Sequence, residues 1–235
     1  MQGFQWEEFD DSGQSSLSEA GARYCIGVSS RLFLSSQRDL FIEMNLEFLF
    51  GRVGYDGYLI TQLGQRVPYS TATSYTGYEG LFHMGFSFTP LTALQFAPVV
   101  GFGIEYWNRD LDDGGTRGYD ESYSVSLASL GITAKYLIAQ NAEVFSAVFL
   151  RIPISLSEAV DIASRGQGGP ENLTLEPGIN SRLLVEAGGM FSRVYAALYF
   201  ETWTLSKSNV EQGYFQPEST RNHFGVKLGY SFSLP

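Results

Sequence analysis

The sequence predicts a single-domain, all-β protein: a transmembrane, antiparallel up-and-down β-barrel of about ten strands, with eight strands as the alternative. Three observations predict this fold. Apolar and polar residues alternate with period two along most of the chain, charged residues are scarce while aromatic residues are abundant, and the connections alternate between short and long. Period-two alternation is typical of strands whose two faces meet different surroundings.

The composition indicates that charged residues are too few to cover the surface of a water-soluble protein. Of the 235 residues 17% are charged and 15% aromatic, against about 25% charged in an average soluble domain. A mean hydropathy of −0.06 and the lack of any run near the roughly 18 apolar residues of a spanning helix exclude a helical membrane protein. The net charge of −10 argues against a nucleic-acid partner, because phosphate binding requires a cationic surface.

No cofactor and no metal site are predicted. The single cysteine, Cys25, cannot close an intramolecular disulfide, and the chain has no cluster of cysteine and histidine residues with metal-ligand spacing.

The alternation is clearest in one run near each end of the chain. In the first run the apolar side consists of Leu40, Ile42, Met44, Leu46, Phe48 and Phe50. In the last it consists of Phe224, Val226, Leu228, Tyr230 and Phe232. Further alternating segments lie at 82–88, 96–106, 144–156, 182–186 and 194–201. Several runs exceed the usual globular strand of about 5 or 6 residues and suit tilted membrane strands.

One region departs from simple alternation. Between residues 119 and 138 the apolar positions change parity, from Tyr123, Val125 and Leu127 to Leu130 and Ile132. A β-bulge would reverse the side chains in this way, so the pattern indicates a bulge here.

The connections predict the strand count. Short turns are expected near 90–92, 138–142 and 190–193, and long polar loops at 108–121, 157–178 and 206–221. Counting back from a last strand that ends on the periplasmic side gives seven strands after residue 74, so an even total needs an odd number before it. Two lie near 21–34 and 39–56; a third would come from residues 1–9 or from a split near 55–65. The chain, 1–235, is interpreted as one domain, with 1–19 a polar N-terminal segment or a first strand and loop.

The C-terminal run HFGVKLGYSFSLP resembles the last strand of bacterial outer-membrane β-barrel proteins. Gly229, Tyr230 and Phe232 occupy the places of that family's assembly signal, although three more residues follow Phe232. The resemblance implies location in the bacterial outer membrane, with a signal peptide already removed. It also implies the lipid bilayer and the barrel assembly machinery as partners.

Opposite the apolar face, the alternation predicts a charged lumen. Its predicted members are Arg23, Arg31, Glu43, Glu47, Glu79, Glu105, Lys135, Arg151, Arg182, Glu186, Glu201 and Lys227. The two signs are balanced, and buried charges are costly unless they are paired. We therefore expect a lumen that ion pairs largely close.

The predicted function is structural or interaction-based: the barrel displays acidic outer loops to a protein partner or serves as a subunit of a complex. A narrow channel or transporter for small solutes is the main alternative. No enzymatic activity is expected, because the surroundings of His83 and His223 (FHMGFS and NHFG) match no hydrolase motif of known barrel families. A hydrolase at the rim and a soluble, lipocalin-like carrier with its apolar face inward are the remaining alternatives.

Overall fold

The computed structural model describes residues 1–60, 66–112, 118–161 and 172–232, and it is built almost entirely of β-strands. The strands are β1 (Gln2–Phe9), β2 (Ser15–Phe33), β3 (Leu40–Ile60), β4 (Arg66–Phe86), β5 (Phe88–Leu91), β6 (Leu94–Asp112), β7 (Asp120–Ala139), β8 (Ala142–Asp161), β9 (Leu173–Leu175), β10 (Pro177–Ile179), β11 (Arg182–Phe191), β12 (Val194–Ser208) and β13 (Glu218–Tyr230). No helix in these ranges is long and apolar enough to cross a membrane.

Ten of these strands form a closed antiparallel ring in which each strand pairs with its neighbours along the chain. β1 closes the ring, because it pairs with β13 from Gln2↔Gly225 to Phe9↔Glu218 and with β2 on its other side. The short strands β5, β9 and β10 add to the edges of β6, β8 and β12. The prediction of ten strands is confirmed and the alternative of eight is wrong.

The N-terminal residues supply the additional strand. Residues 1–19 form β1, a tight turn in which Gly13 has φ +77°, and the start of β2. The possible split near 55–65 is absent up to residue 60, where β3 continues unbroken, and residues 61–65 lie outside the described ranges.

The two ends of the barrel differ in the length of their connections. At one end, called the inner end, short connections join β2 to β3, β7 to β8 and β11 to β12, and β5 lies in the link from β4 to β6. The other end, the outer end, carries the tight β1–β2 turn and the longer connections from β6 to β7, from β8 to β11 and from β12 to β13. Residues 61–65, 113–117 and 162–171 lie outside the described residues. The expected alternation of short turns and long loops is therefore present.

The outer surface of the barrel changes chemistry along the strands. Around the inner half, outward side chains form an apolar belt that includes Ile26, Val28, Phe48, Phe82, Met84, Phe102, Ile104, Leu130, Ile132, Val148, Leu150, Leu198, Phe200, Phe224 and Val226, all exposed. Nearer the outer end, the side chains that face outward are polar, as at Thr76, Asn108, Ser124, Thr202 and Asn222. The belt matches the lipid-facing band of a membrane barrel, so the polar outer half extends into water.

The outer half contains a hydrophobic core inside the barrel. Its buried members are Phe4, Trp6, Leu17, Val53, Tyr55, Tyr75, Trp107, Leu111, Tyr123, Val125, Leu156, Trp203 and Leu205. Trp107 stacks on Tyr123 with ring centroids 4.6 Å apart and meets Trp203 edge-on at 5.6 Å. Side chains therefore fill the barrel above the membrane.

The change of parity expected in β7 has a different cause. Tyr123, Val125 and Leu127 are buried in the lumen while Leu130 and Ile132 are exposed, and β7 keeps its alternation from Glu121 to Ile132. The register shift lies in β8, where Ser126 pairs with Ser155 but Leu127 pairs with Pro153. Apolar residues of β7 change sides between Leu127 and Leu130 because the exterior changes from water to lipid, and not because of a bulge in β7 at that point. A second register shift does lie in β7, at its inner end, where Leu137 pairs with Glu143 and Ala139 with Ala142.

Candidate functional site

The charged residues of the lumen lie in three layers, which differ in how completely the charges are paired. In the middle layer Arg151 donates to Glu79 at 2.8 Å and to Glu201 at 3.0 Å. Glu105 accepts from Arg182 and also from Arg221, the latter at 3.4 Å. These strands bring the groups together because odd-numbered residues on β4, β6 and β8 and the matching positions on β11 to β13 point inward.

The layer nearest the inner end consists of separate ion pairs. Lys227 Nζ lies 3.0 Å from Glu186 and 3.5 Å from Glu47. Arg31 pairs with Glu43 on the neighbouring strand β3. Each of these residues was a predicted lumen residue, and the structure places each beside another member of the predicted set.

Two predicted residues have partners outside that set. Lys135 pairs with Glu143 at 3.1 Å across the β7–β8 turn. Arg23 donates to Gln2 Oε1 at 2.8 Å and to His223 Nε2 at 3.0 Å, and its guanidinium lies 3.8 Å from the centre of the Phe4 ring.

The outer layer was missed by sequence reasoning and is the most acidic. Arg109 NH1 lies 2.6 Å from Glu121 and 3.7 Å from Glu8, while NH2 lies 2.8 Å from Glu19. Glu158 is also buried here, and the Gln216 amide, in its satisfied orientation, donates to it at 3.1 Å. One guanidinium therefore faces four carboxyl groups.

The acidity of this layer is moderated by protonation. Burial, opposed by Arg109 and reinforced by Glu121 and Glu19, raises the pKa of Glu8 to about 7. Burial and the neighbouring Glu121 and Glu8 raise the pKa of Glu158 well above its ordinary value. Both groups lie in the outer half, beyond the apolar belt, and close carboxyl groups of this kind share protons because they cannot all ionise.

A signal for the missed layer exists in the sequence. Glu19 shares its face with Leu17, and Glu121 shares its face with Tyr123 and Val125. In the belt the opposite rule holds, since charged residues oppose the apolar ones. Charge and apolar side chains on the same face indicate a filled interior outside the membrane, which the belt pattern alone does not reveal.

The two histidines lie inside the barrel and not at its rim. His223 Nε2 accepts from Arg221 Nε at 2.7 Å and from Arg23, while Nδ1 lies 3.5 Å from Glu201. His83 stacks on Phe149 with ring centroids 5.2 Å apart. His223 does not place a site at the rim, because β13 continues outward from it through Arg221 to Glu218.

The lumen contains a cavity. A cavity of about 70 Å³ lies between the middle and inner layers, lined among others by Arg23, Glu79, Glu105 and Lys227. Within the described ranges, no group of three or more histidine, cysteine or acidic side chains is placed to hold a metal ion.

The proposed assembly signal lies at the inner end. Tyr230 and Phe232 are exposed and so face the membrane side, with 59% and 65% of their surface accessible. Gly229 packs against the Tyr195 ring, where a Cβ atom would come within 2.0 Å of that ring. Ser233, Leu234 and Pro235, which depart from the family pattern, lie outside the described residues.

Comparison with known proteins identifies the fold. No family model and no curated protein sequence matches the chain. The outer membrane protease OmpT from Escherichia coli matches in structure with a TM-score of 0.66 at 8% identity, over 98% of this chain and 93% of the protease. An outer membrane protein named OmpT of Vibrio cholerae aligns with a TM-score of 0.17 at 10% identity over 96% of this chain and 94% of its own, a score too low to indicate a shared fold.

The likeness to a protease corrects the expectation that this barrel is not an enzyme. That expectation rested on the absence of known hydrolase motifs around His83 and His223. The outer membrane protein that aligns with 98% of this chain is nevertheless a protease. Similarity at 8% identity assigns no activity to this chain, but it removes the ground for excluding one.

The lipocalin-like alternative is also wrong, because it requires Glu43, Glu47 and Lys227 to face water while the apolar face lines the interior. In the structure these three residues form ion pairs within the lumen and the apolar face is exposed. The closed ring, the apolar belt and the likeness to a solved outer-membrane barrel agree, and the protein is a β-barrel of the bacterial outer membrane.

Proposed function

We propose that this barrel is sealed and serves as a rigid outer-membrane scaffold that presents its water-facing half to a protein partner. The observation that supports the proposal is that side chains close the lumen at two levels. The aromatic core fills the outer half, and the ion pairs of Arg151, Arg182 and Lys227 cross the space below it. Eight to ten strands leave little more room than such side chains fill.

The chemistry of the outer end favours a basic partner surface. The acidic residues Glu211 and Glu218 lie on its connections or at the start of β13, and the chain as a whole carries a net charge of −10. Asp10 and Asp11 lie at the same end and form ion pairs with Arg66 and Lys207. Complementary charge would speed association and orient the partner, more than it would add to affinity.

Conductance in planar bilayers tests whether the lumen is sealed. We expect the purified protein to insert without stable conductance steps in molar potassium chloride, because the aromatic core and the ion pairs occupy the lumen at two levels. Regular conductance steps would overturn the sealed-barrel proposal and favour the narrow channel.

Photo-crosslinking in intact cells tests the interaction. A photoreactive residue at Gln5 or Thr204, both on the polar exterior of the outer half, should give a discrete protein adduct that weakens in high salt. The same residue at Met84 in the apolar belt is the matched control and should give none. Absence of an adduct at both outer positions would contradict an interaction role for this surface.

Peptide hydrolysis at the outer layer is a second candidate. Two observations support it: the likeness of the fold to an outer membrane protease, and the raised pKa of two neighbouring buried carboxyl groups, Glu8 and Glu158. General acid–base catalysis needs two such groups with separated pKa values. Hydrolysis of a fluorogenic peptide library that is lost in Glu158→Gln and Glu8→Gln, but retained in Glu7→Gln, would support it; no hydrolysis by the wild type would remove it.

The assembly role of Gly229, Tyr230 and Phe232 is likewise a proposal. Replacing Phe232 with serine should reduce the amount of folded barrel in the outer membrane while leaving refolding into detergent unchanged. Equal amounts of wild type and Phe232→Ser in the membrane would contradict it.

A further inference from the structure

Arg23 is a buried cation without an acidic partner. Its side chain is fully buried, with 0% of its surface exposed, and its hydrogen-bond partners are the neutral Gln2 amide and the His223 ring. Among the described residues no carboxylate lies within ion-pair distance, and its NH1 atom has no hydrogen-bond acceptor. A buried, unpaired guanidinium is costly unless something else neutralises it.

Arg221 contacts the same histidine, His223, and places a second positive charge next to Arg23. Its Nε donates to His223 Nε2 at 2.7 Å, the atom that also faces Arg23. Guanidinium groups only donate, so this nitrogen must be the unprotonated one and the ring is neutral. Arg221 has one distant carboxylate partner, Glu105 at 3.4 Å, and its NH1 atom also finds no acceptor in the described part of the chain.

Both arginines line the lumen cavity of about 70 Å³. Trp107, whose buried Nε1 donor is likewise unsatisfied within the described ranges, lines it as well. The charged side chains that line the cavity are four cations, Arg23, Arg151, Arg221 and Lys227, and four carboxylates, Glu47, Glu79, Glu105 and Glu201. The carboxylates form their ion pairs with Arg151, Arg221 and Lys227 or with His223, and none of these pairs includes Arg23. A cavity that is lined by unsatisfied donors and by a buried arginine without a carboxylate partner has the properties of an anion site.

We propose that this cavity binds one small inorganic anion, a halide such as chloride, between Arg23 and Arg221. A halide accepts several hydrogen bonds at once and supplies the missing negative charge, whereas a water molecule can satisfy donors without neutralising them. The limited volume favours a monatomic anion over larger organic acids. The site would fix the positions of two arginines at the level where the aromatic core meets the ion-pair layers.

Thermal unfolding in detergent at constant ionic strength tests the site. The probes are potassium chloride, potassium bromide and potassium gluconate, whose anion is too large for the cavity. We expect the unfolding midpoint of the wild type, read from heat-modifiable gel mobility, to be a few degrees higher in either halide. Arg23→Gln should abolish this difference, while Arg31→Gln, which alters a lumen arginine paired with Glu43, should keep it.

Crystals grown in bromide keep the proposal testable if Arg23→Gln does not fold. An anomalous peak between the Arg23 and Arg221 guanidinium groups of the wild type is the expected result. Equal midpoints in halide and gluconate together with no anomalous peak would mean that only water fills the cavity, and would overturn the proposal.

Discussion

At the scale of single residues, Gly77 of β4 shows how closely the outer half is packed. It pairs with Trp107 on β6, and a Cβ atom at Gly77 would lie 2.4 Å from the Tyr106 carbonyl oxygen and 2.8 Å from Trp107 Cβ. Most of these neighbours are backbone or close to it and cannot move aside without disturbing the sheet.

We therefore expect Gly77→Ala to lower the free energy of unfolding by about 1–3 kcal/mol, the usual cost of overpacking. Gly80→Ala on the same strand is the matched control, because the nearest atom to its Cβ would be Ile104 Cγ1 at 3.6 Å. Urea unfolding in detergent measures both variants, and equal loss in the two would show that packing against Trp107 is not the cause.

The buried carboxyl of Glu8 makes stability depend on pH. Its pKa is raised to about 7 in the folded barrel, so the folded state holds the proton more tightly than the unfolded chain does. This contribution is complete below the ordinary pKa of 4.5 and is lost as pH rises through about 7; it amounts to roughly 3 kcal/mol at most.

The expected result is that wild type loses stability relative to Glu8→Gln between pH 4.5 and 8. Unfolding midpoints across that range measure the difference. Glu7→Gln, next to it but facing outward, should follow the wild-type curve. Parallel curves for wild type and Glu8→Gln would contradict the raised pKa.

At the scale of elements, β7 passes from water into lipid without changing its alternation. Ser124 and Leu130 are both even-numbered, outward positions of this strand, one on the polar exterior and the other in the apolar belt. Identical substitutions at the two positions therefore compare the two surroundings directly.

We expect Leu130→Arg to reduce the stability of the membrane-inserted barrel by about 2–4 kcal/mol, the range found for arginine near the middle of a bilayer. Ser124→Arg should change it little, since that side chain remains in water. The folded fraction in lipid vesicles across a urea series measures both effects. An equal response would place the membrane boundary elsewhere on the strand.

The same strand explains what sequence could and could not predict. In the belt, Leu130 and Ile132 alternate with polar or small neighbours. Because lipid lies outside the barrel and charged side chains lie inside it, the apolar residues of such a pattern can only face outward. In the outer half, Tyr123 and Val125 alternate equally well but point inward, because water outside and a packed core inside reverse the rule. The sequence analysis applied the rule of the belt, in which apolar residues face outward, to the part of the strand beyond the membrane. It therefore inferred a bulge in β7 and left Arg109 and Glu121 out of the predicted lumen.

At the scale of the whole molecule, the strand count could be predicted because it follows from counting. The inner and outer connections alternate, the ring must contain an even number of strands, and residues 1–9 supply the strand that completes ten. The function could not be predicted in this way. Activity depends on which side chains meet across the lumen, and Arg23 of β2 meets His223 of β13, 200 positions away in the sequence.

The height of the barrel relative to the membrane gives a prediction for the intact molecule. Ser206 and Leu198 both face outward on β12, eight positions apart, or about 26 Å along the strand. In a Cys25→Ser background, a membrane-impermeant maleimide added to cells should label Ser206→Cys and leave Leu198→Cys unlabelled. Labelling of neither variant would mean that the outer half does not face the outside of the cell.

The stability that the aromatic core gives to the outer half depends on temperature, and the stability of the apolar belt does not depend on it in the same way. Only where water surrounds the wall does burying Trp6, Trp107 and Trp203 remove apolar surface from water. That driving force fades on cooling and carries the positive heat capacity of unfolding, whereas lipid-facing side chains exchange one apolar environment for another. On cooling, the outer half of the barrel should therefore lose its packed structure first, while the strands within the membrane stay folded.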